Sequence, residues 1–290
     1  METSFILSCE STIDLPYSYC EARGIPVLFY SYQVDGVSYE DDMGRDPAAL
    51  PRFYGFLDEG KLPTTAQLNE FQYESFFDAL LQQGDVLHIA FGSGMTASVQ
   101  NAMLAAESLR EKYPERKLVV IDSLCSSSGY GLLVDGAADL RDAGKSMDEI
   151  ADWTMAMRQN VHHQFYSTEL KFYRRSGRMS GAAAAIGTVL NIKPILYGSA
   201  DGHIVACGKV RGRKKAIDTL VETYAKKQVD AANHLVAISH GDCLADAQLL
   251  AEKVRAVAAP KDILIVPHEP FSGAHVGPGM LALFFYGSER

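Results

Sequence analysis

The stretch DVLHIAFGSGMTASVQNAMLAAESLREKYPERKLVVID, residues 85–122, decides the fold of this chain. Its two ends, residues 85–91 and 117–122, are short runs rich in Val, Leu and Ile that predict buried β-strands. Between them, residues 96–113 carry apolar side chains at helical spacing. A strand, a helix and a second strand in this order form a βαβ unit, which predicts a parallel sheet covered by helices.

The sequence around this unit first extends the pattern and then changes it. SFILS (4–8) and PVLFYSYQV (26–34) predict two more strands, and helices are predicted over 127–143 and 146–162. Six strand candidates then follow with fewer helices between them: STELKFY (167–173), IKPILYG (192–198), HIVACGKV (203–210), HLVAISH (234–240), DILIVP (262–267) and LALFFY (281–286).

This change of pattern predicts a domain boundary near residue 163. The two domains would then comprise residues 1–163, an α/β/α domain, and residues 164–290. GAAAAIGTVL, residues 181–190, is rich in small residues and predicts a tightly packed helix. No internal repeat is visible in the sequence.

Composition excludes several classes of protein. The chain of 290 residues has 47% hydrophobic and 22% charged residues, as soluble globular proteins do. Its formal net charge of −9 argues against general binding to nucleic acid or stable association with anionic membranes. The five cysteines are scattered without metal-ligand spacing, which favours reduced thiols and a cytoplasmic location.

Three segments contain candidate site residues, each with an alternative structural role. In FSGAHVGPGM (271–280), small residues surround His275, which is either a site residue or part of a turn. Ser93 lies in the loop between the predicted strand and helix, a position that favours an anion but also suits an ordinary tight turn. Thr65, in LPTTAQ (62–67), is a hydrogen-bond donor or part of a helix cap.

Basic and histidine-containing segments complete the candidates. KFYRRSGR (171–178) and KVRGRKK (209–215) contain no acidic residue, and they suit a phosphate, an acidic partner or a solvated surface. The groups His240–Asp242–Cys243 and His268–Glu269 lack the spacing of known metal ligands. We therefore predict no metal site.

Eight motifs in order resemble those of one family. They are ESTIDLP (10–16), VDGVSYED (34–41), FLDEGKLPTTAQ (56–67), SGMTAS (93–98), VVIDS (119–123), ELKFYRRSGRMSG (169–181), VRGRKKAI (210–217) and HVGPG (275–279). With these motifs the chain resembles the DegV family of bacterial fatty-acid-binding proteins from end to end.

The resemblance implies a two-domain fold, an α/β/α domain with a parallel sheet followed by an α/β domain with a mixed sheet. It implies one long-chain fatty acid between the domains, and no cofactor or metal. Some members are the acyl-carrying subunit of a fatty acid kinase, in which a separate ATP-binding protein phosphorylates the bound carboxylate for phospholipid synthesis. By this resemblance the chain is a carrier without independent catalysis.

The resemblance also implies roles for individual residues. Thr65 and Ser93 would donate hydrogen bonds to the carboxylate. His275 would lie near the head group and support phosphoryl transfer, since an imidazole can become charged near neutral pH. The basic residues implied to contact phosphate or the kinase are Arg178, Arg211 and Arg213. Ala66 and Gly92 stand where the family has serine, which removes two hydroxyls from the expected head-group site.

Two other functions remain open at this point. One is a serine-dependent acyl hydrolase or transferase with Ser93 as nucleophile and His275 as base, although the motif around Ser93 is not the GxSxG of a nucleophile elbow. The other is a lipid sensor or storage protein that has no kinase partner.

Overall fold

The computed structural model describes residues 5–179 and 191–290. Its strands are β1 (Phe5–Glu10), β2 (Val27–Leu28), β3 (Ser31–Val34), β4 (Val37–Glu40), β5 (Thr64–Ala66), β6 (Asp85–Ala90), β7 (Leu118–Asp122), β8 (Val161–Tyr166), β9 (Ile192–Gly198), β10 (Ile204–Arg211), β11 (Leu235–His240), β12 (Asp262–Pro267) and β13 (Leu281–Tyr286). Its helices are α1 (Tyr17–Ala22), α2 (Ala49–Asp58), α3 (Glu70–Leu81), α4 (Ser98–Lys112), α5 (Ser127–Asp142), α6 (Met147–Met157), α7 (Leu170–Ser176), α8 (Arg213–Lys227), α9 (Leu244–Val257) and α10 (Pro270–Val276).

The first sheet is parallel and has the strand order β2-β1-β6-β7. The predicted βαβ unit is confirmed as β6, α4 and β7. The predicted strand at 26–34 instead divides into β2 and β3. Only β2 pairs with β1, whereas β3 joins β4 and β5 in a separate three-stranded antiparallel sheet that the sequence did not predict.

The second sheet is mixed and has the order β10-β9-β8-β13-β11-β12. Only β11 and β12 pair in parallel, while the other neighbours are antiparallel. Together the two sheets confirm the predicted α/β fold, a parallel sheet followed by a mixed six-stranded one. Residue 163 lies within β8, and the domain boundary predicted there stays a prediction.

One of the six strand candidates was wrong. STELKFY overlaps helix α7, and the sixth strand is β8, whose first two residues fall in the helix predicted over 146–162. All six residues of β8 are buried although three are polar. The two ring nitrogens of His163 are satisfied by Val161 O at 3.0 Å and by the backbone N–H of Ser126 at 3.1 Å. Buried polar residues with internal partners therefore concealed a central strand from the hydrophobic pattern.

Helix α5 lies between the two sheets, in contact with β1 on one side and with β8, β11 and β13 on the other. Most of its residues are buried, as is typical of a helix enclosed by protein on several sides. A Cβ at Gly129 would lie 2.4 Å from His163 Nε2, so glycine permits this close approach to β8. The start of α5 is thereby held at the junction of the two sheets.

Helices α8 and α9 cover the outer face of the mixed sheet and form a second apolar core with it. None of the helices in the described ranges is both long enough and apolar enough to cross a bilayer. The helix predicted over 181–190 lies outside the described residues.

Candidate functional site

A cavity lies at the junction of the two sheets, next to the start of α5 and to α10. It contains about 770 Å³ of space, part of it open to solvent, and most of its exposed wall is apolar. The apolar wall consists of Phe91, Met95, Phe165, Tyr173, Ile204, Phe271, Val276, Met280, Ala282 and Phe284.

Thr65 and His275 meet at one end of this cavity. Thr65 Oγ1 lies 2.8 Å from His275 Nε2, which joins strand β5 to helix α10. Although His275 as a whole is partly exposed, its Nδ1 atom is buried and has no hydrogen-bond partner among the described residues. Side chains alternate along a strand, so the neighbouring Ala66 faces the other way and is exposed. A hydroxyl at position 66 would therefore not face the cavity, and Ala66 removes no polar group from it.

Two arginines give this end of the cavity positive charge. Arg178 lines the cavity and donates to Met95 O at 3.3 Å. Arg175 donates to Ala274 O at 3.2 Å, next to the histidine. Burial, with smaller contributions from Arg178 and Arg175, lowers the pKa of His275 to about 3. Desolvation beside two cations therefore disfavours the charged imidazole that the sequence led us to expect near neutral pH.

The glycines after His275 fix the end of α10. Gly277 has φ of 71°, a conformation that favours glycine, and a Cβ there would lie 2.2 Å from the ring of Phe172. Thr168 donates to Pro278 O at 2.8 Å. Close packing against α7 and the segment before it thus holds His275 at the cavity.

Ser93 occupies a different position from Thr65 and His275. It is not among the residues that line the cavity, whereas Met95 and Thr96 of the same loop are. Its backbone N–H donates to Asp122 Oδ1 at 3.0 Å. A Cβ at Gly92 would lie 2.7 Å from the backbone of Cys125, so the loop has no room for a larger residue there. The role of Ser93 towards a carboxylate stays a prediction.

Arg211 and Arg213 lie apart from the cavity lining, at the end of β10 and the start of α8. Both are exposed. Arg213 forms an ion pair with Asp246, with 3.2 Å between Nη1 and Oδ1. Of the three arginines predicted to contact phosphate or a partner, the structure brings only Arg178 close to His275.

Sequence reasoning missed a second polar group in the cavity wall. His268, set aside as a metal ligand, lines the cavity together with Ser127, and its Nδ1 lies 2.9 Å from Asp14 Oδ2. The Ser127 hydroxyl donates to the same carboxylate. Within residues 5–179 and 191–290, no cluster of three or more His, Cys, Asp or Glu side chains is suited to a metal ion.

One signal in the sequence could have indicated part of this group. The serines at 126–128 follow strand β7 after three residues, and the carboxyl ends of parallel strands are where open α/β sheets bind ligands. Asp14 and Ser127 both have positive φ, 47° and 53°. Such conformations cost roughly 1–3 kcal/mol each and cluster at functional sites.

A cavity with a largely apolar wall and several polar positions, at the junction of a parallel and a mixed sheet, is typical of an α/β protein that binds a small amphipathic molecule. Comparison with known proteins identifies the family. Residues 6–288 match the family described as "Uncharacterised protein, DegV family". The chain belongs to the DegV family.

Relatives and solved structures agree with this assignment. A DegV domain-containing protein of Clostridium perfringens is 36% identical over 288 residues, covering 99% of this chain and 98% of the relative. A DegV family protein of Thermus thermophilus, described as binding fatty acid, is 26% identical with a TM-score of 0.86, covering 98% of this chain and 99% of that one. The fold is also similar to that of a Eubacterium eligens DegV protein loaded with heptadecanoic acid, at 21% identity and a TM-score of 0.84, with 98% of this chain and 100% of that chain covered.

Proposed function

We propose that this protein binds one long-chain fatty acid in the cavity between its two sheets and presents the carboxylate to a separate kinase in the cytoplasm. The observation that carries the proposal is the combination of an apolar wall with a polar end formed by Thr65, His275 and Arg178. The fatty acid binding described for the 26% identical Thermus thermophilus protein supports the same ligand class.

The polar end suits a carboxylate. Arg178 supplies the positive charge, and the Thr65 hydroxyl supplies a neutral donor. This hydroxyl is hydrogen-bonded to His275 Nε2, so a carboxylate that accepts the hydroxyl proton would replace that nitrogen as its partner. We propose that His275 then acts on the acyl phosphate, through the Nδ1 atom left without a partner in the described part of the chain.

The apolar wall would supply most of the affinity. Burying about a dozen methylenes at ~0.8 kcal/mol each contributes on the order of 10 kcal/mol before the costs of ordering the ligand. We therefore expect a fatty acid to survive purification and to be detected by native mass spectrometry and in a denaturing extract. After delipidation, stearate should bind more tightly than stearyl alcohol, which has the same chain without the charge. A protein that contains no lipid and binds neither compound would contradict the proposal.

Transfer to a kinase requires its own test. His275→Ala should retain bound fatty acid while acyl phosphate formation with the cognate kinase falls steeply, because added negative charge must be stabilised in the transition state. Single-turnover phosphorylation of lipid-loaded wild type and variant measures this, with circular dichroism as the control for folding. Phosphorylation of the variant at the wild-type rate would make His275 a structural residue. Failure to capture any ATP-binding partner would favour a sensor or storage protein.

The hydrogen bonds in the described part of the chain do not support a hydrolase built on Ser93 and His275. His275 Nε2 is engaged by Thr65, and Ser93 lies outside the cavity lining. A general base must reach the proton that it removes. An esterase assay on the purified protein addresses this alternative directly.

A further inference from the structure

The cavity has a second polar position at the opposite end of helix α10 from His275. His268 precedes this helix, lines the cavity and is only 1% exposed. It is held on three sides: its backbone N–H donates to His240 O at 2.8 Å, its carbonyl accepts from the Tyr54 hydroxyl at 3.3 Å, and its Nδ1 lies 2.9 Å from Asp14 Oδ2. The imidazole is therefore fixed in one orientation.

The hydrogen bonds around Asp14 determine what His268 can offer to a ligand. Besides His268 Nδ1, the carboxyl group of Asp14 accepts from the hydroxyls of Ser127 and Ser272. Because the carboxyl oxygens of Asp14 act as acceptors for these groups, the His268 proton lies on Nδ1. Nε2 then carries a lone pair. This atom is buried and has no hydrogen-bond partner among the residues that the structure describes.

This arrangement does not activate a serine. In a catalytic triad the histidine stands between the acid and the hydroxyl, with Nε2 on the nucleophile. Here Asp14 stands between Ser127 and His268, because its Oδ2 contacts both side chains. Ser127 Oγ lies 3.5 Å from Nδ1, the nitrogen already engaged by Asp14. Nε2 is left as an acceptor, in a side chain that lines the cavity, and among the described residues it contacts no nucleophile that it could deprotonate.

We propose that His268 Nε2 accepts a hydrogen bond from a hydroxyl group in the middle of the ligand chain, so that the preferred ligand is a long-chain hydroxy fatty acid. This inference rests on the proposed fatty acid binding and specifies its ligand class. A buried acceptor without a partner is costly, and a ligand hydroxyl would satisfy it.

The length of α10 gives the position of that hydroxyl. The helix has seven residues, and at about 1.5 Å per residue it is roughly 10 Å long. His275 lies near its end, and His268 lies just before its start. The hydrocarbon core of a bilayer, about 30 Å, holds two acyl chains end to end, so one long chain extends roughly 15 Å. A group roughly 10 Å from the carboxylate is therefore within the chain and not at its tip.

The test compares three ligands on delipidated protein by isothermal titration calorimetry. They are stearic acid, a hydroxystearic acid with the hydroxyl in mid-chain, and one with the hydroxyl on the penultimate carbon. We expect the mid-chain isomer to bind more tightly than stearic acid. The penultimate isomer should bind about tenfold more weakly than the mid-chain isomer, because its hydroxyl is buried without a partner.

A matched pair of variants assigns the effect to His268. His268→Asn keeps an amide N–H for Asp14 and removes Nε2, so it should weaken binding of the mid-chain isomer about tenfold and leave stearic acid within about twofold. Ser272→Ala removes another Asp14 partner but retains Nε2, so the preference should persist. If His268→Asn does not fold, ¹⁵N NMR of the wild type decides, since His268 Nε2 should shift with the mid-chain isomer and not with stearic acid.

Three results would each contradict a different claim: the hydroxyl site, the role of His268 in it, or fatty acid binding itself. Binding of stearic acid with rejection of both hydroxy acids would refute the hydroxyl site and leave fatty acid binding intact. An unchanged preference in His268→Asn, or an unchanged Nε2 resonance, would remove His268 from it. Failure of all three ligands to bind would refute the proposed function itself.

Discussion

Two buried polar regions of this molecule, around His88 and around His275, differ in whether every polar atom has a hydrogen-bond partner. Around His88, both ring nitrogens have partners, Ser8 Oγ at 3.0 Å and Glu10 Oε1 at 3.3 Å. Around His275, only one ring nitrogen has a partner among the described residues, Thr65. The two histidines are alike in the sequence, since each is surrounded by apolar or small residues.

The difference teaches how to distinguish a histidine of the fold from a histidine of the site. Glu10 also accepts from the Tyr73 hydroxyl and from the backbone N–H of Phe91 at 2.8 Å, which anchors the end of β6. A complete network of this kind stabilises one conformation. An incomplete one, beside a cavity, retains hydrogen-bonding capacity for a ligand. The comparison can be tested by perturbing each region in turn.

The largest expected effect is on the complete network. Glu10→Ala leaves Tyr73, His88 and the Phe91 N–H without their buried acceptor, which should lower the free energy of unfolding by about 3–5 kcal/mol. Urea denaturation followed by circular dichroism measures this loss. The exposed Glu21 provides the control, since Glu21→Ala should change stability by less than about 0.5 kcal/mol. A loss below about 1 kcal/mol for Glu10→Ala would mean that the network does not hold the fold.

The second effect is on ligand binding at the incomplete region. Thr65→Val removes a hydrogen bond to a charged carboxylate, worth about 1.5–3 kcal/mol, so Kd for stearate should rise roughly 10–100-fold. Thr64→Val is the matched control, because Thr64 is exposed and faces the opposite side of β5. Calorimetry should show less than about a twofold change for Thr64→Val. Equal effects of the two substitutions would place the carboxylate elsewhere.

The third effect is on the pH dependence of stability, through Glu269, which directly precedes α10. Burial, with Asp41 and Asp14 nearby, raises the pKa of Glu269 to about 9. The Glu269 carboxyl group of the folded state then keeps its proton up to about pH 9, whereas in the unfolded state it releases the proton near pH 4.3. The stability contributed by this proton is therefore fully present below about pH 4.3 and is lost as the pH rises towards 9. Glu269→Gln should remove this loss, changing the slope of stability against pH by up to about 1.4 kcal/mol per unit.

Urea unfolding between about pH 5 and 9 measures this slope. The exposed Glu111 serves as the control, because Glu111→Gln should leave the slope unchanged. Parallel stability curves for wild type and Glu269→Gln would show that Glu269 is ionised in the fold.

The two regions also show which features could be predicted from the sequence. Hydrophobic runs gave the βαβ unit, because strands and helices buried on one face carry a periodic signal. Strand β8 gave no such signal, since His162, His163 and Gln164 are buried within it. The resemblance indicated Thr65 and His275, but their contact joins residues 210 positions apart and depends on tertiary structure.

His268 could not be predicted in the same way. Its partner Asp14 is 254 residues away, and only the packed structure shows that Nδ1 is engaged while Nε2 is not. In the sequence His268 stands next to Glu269, a pair that we set aside as a metal site, whereas the acid that contacts its ring is Asp14. Local sequence patterns predict helices and strands from the spacing of apolar residues, but they do not predict hydrogen-bond partners that are distant in the sequence.

The smallest expected effect on ligand binding concerns a residue outside both regions. Arg211 is exposed and does not line the cavity, so Arg211→Glu should change Kd for stearate by less than about twofold while weakening association with the kinase, more strongly at low salt. Calorimetry measures the first quantity, and biolayer interferometry at two salt concentrations measures the second. Lys226→Glu, an equal charge change at the far end of α8, is the control.

Arg175 is unsuitable for this test because it donates to Pro63 O and Ala274 O beside His275. Loss of both activities in Arg211→Glu would place Arg211 at the ligand, and loss of neither would make its segment a solvated surface.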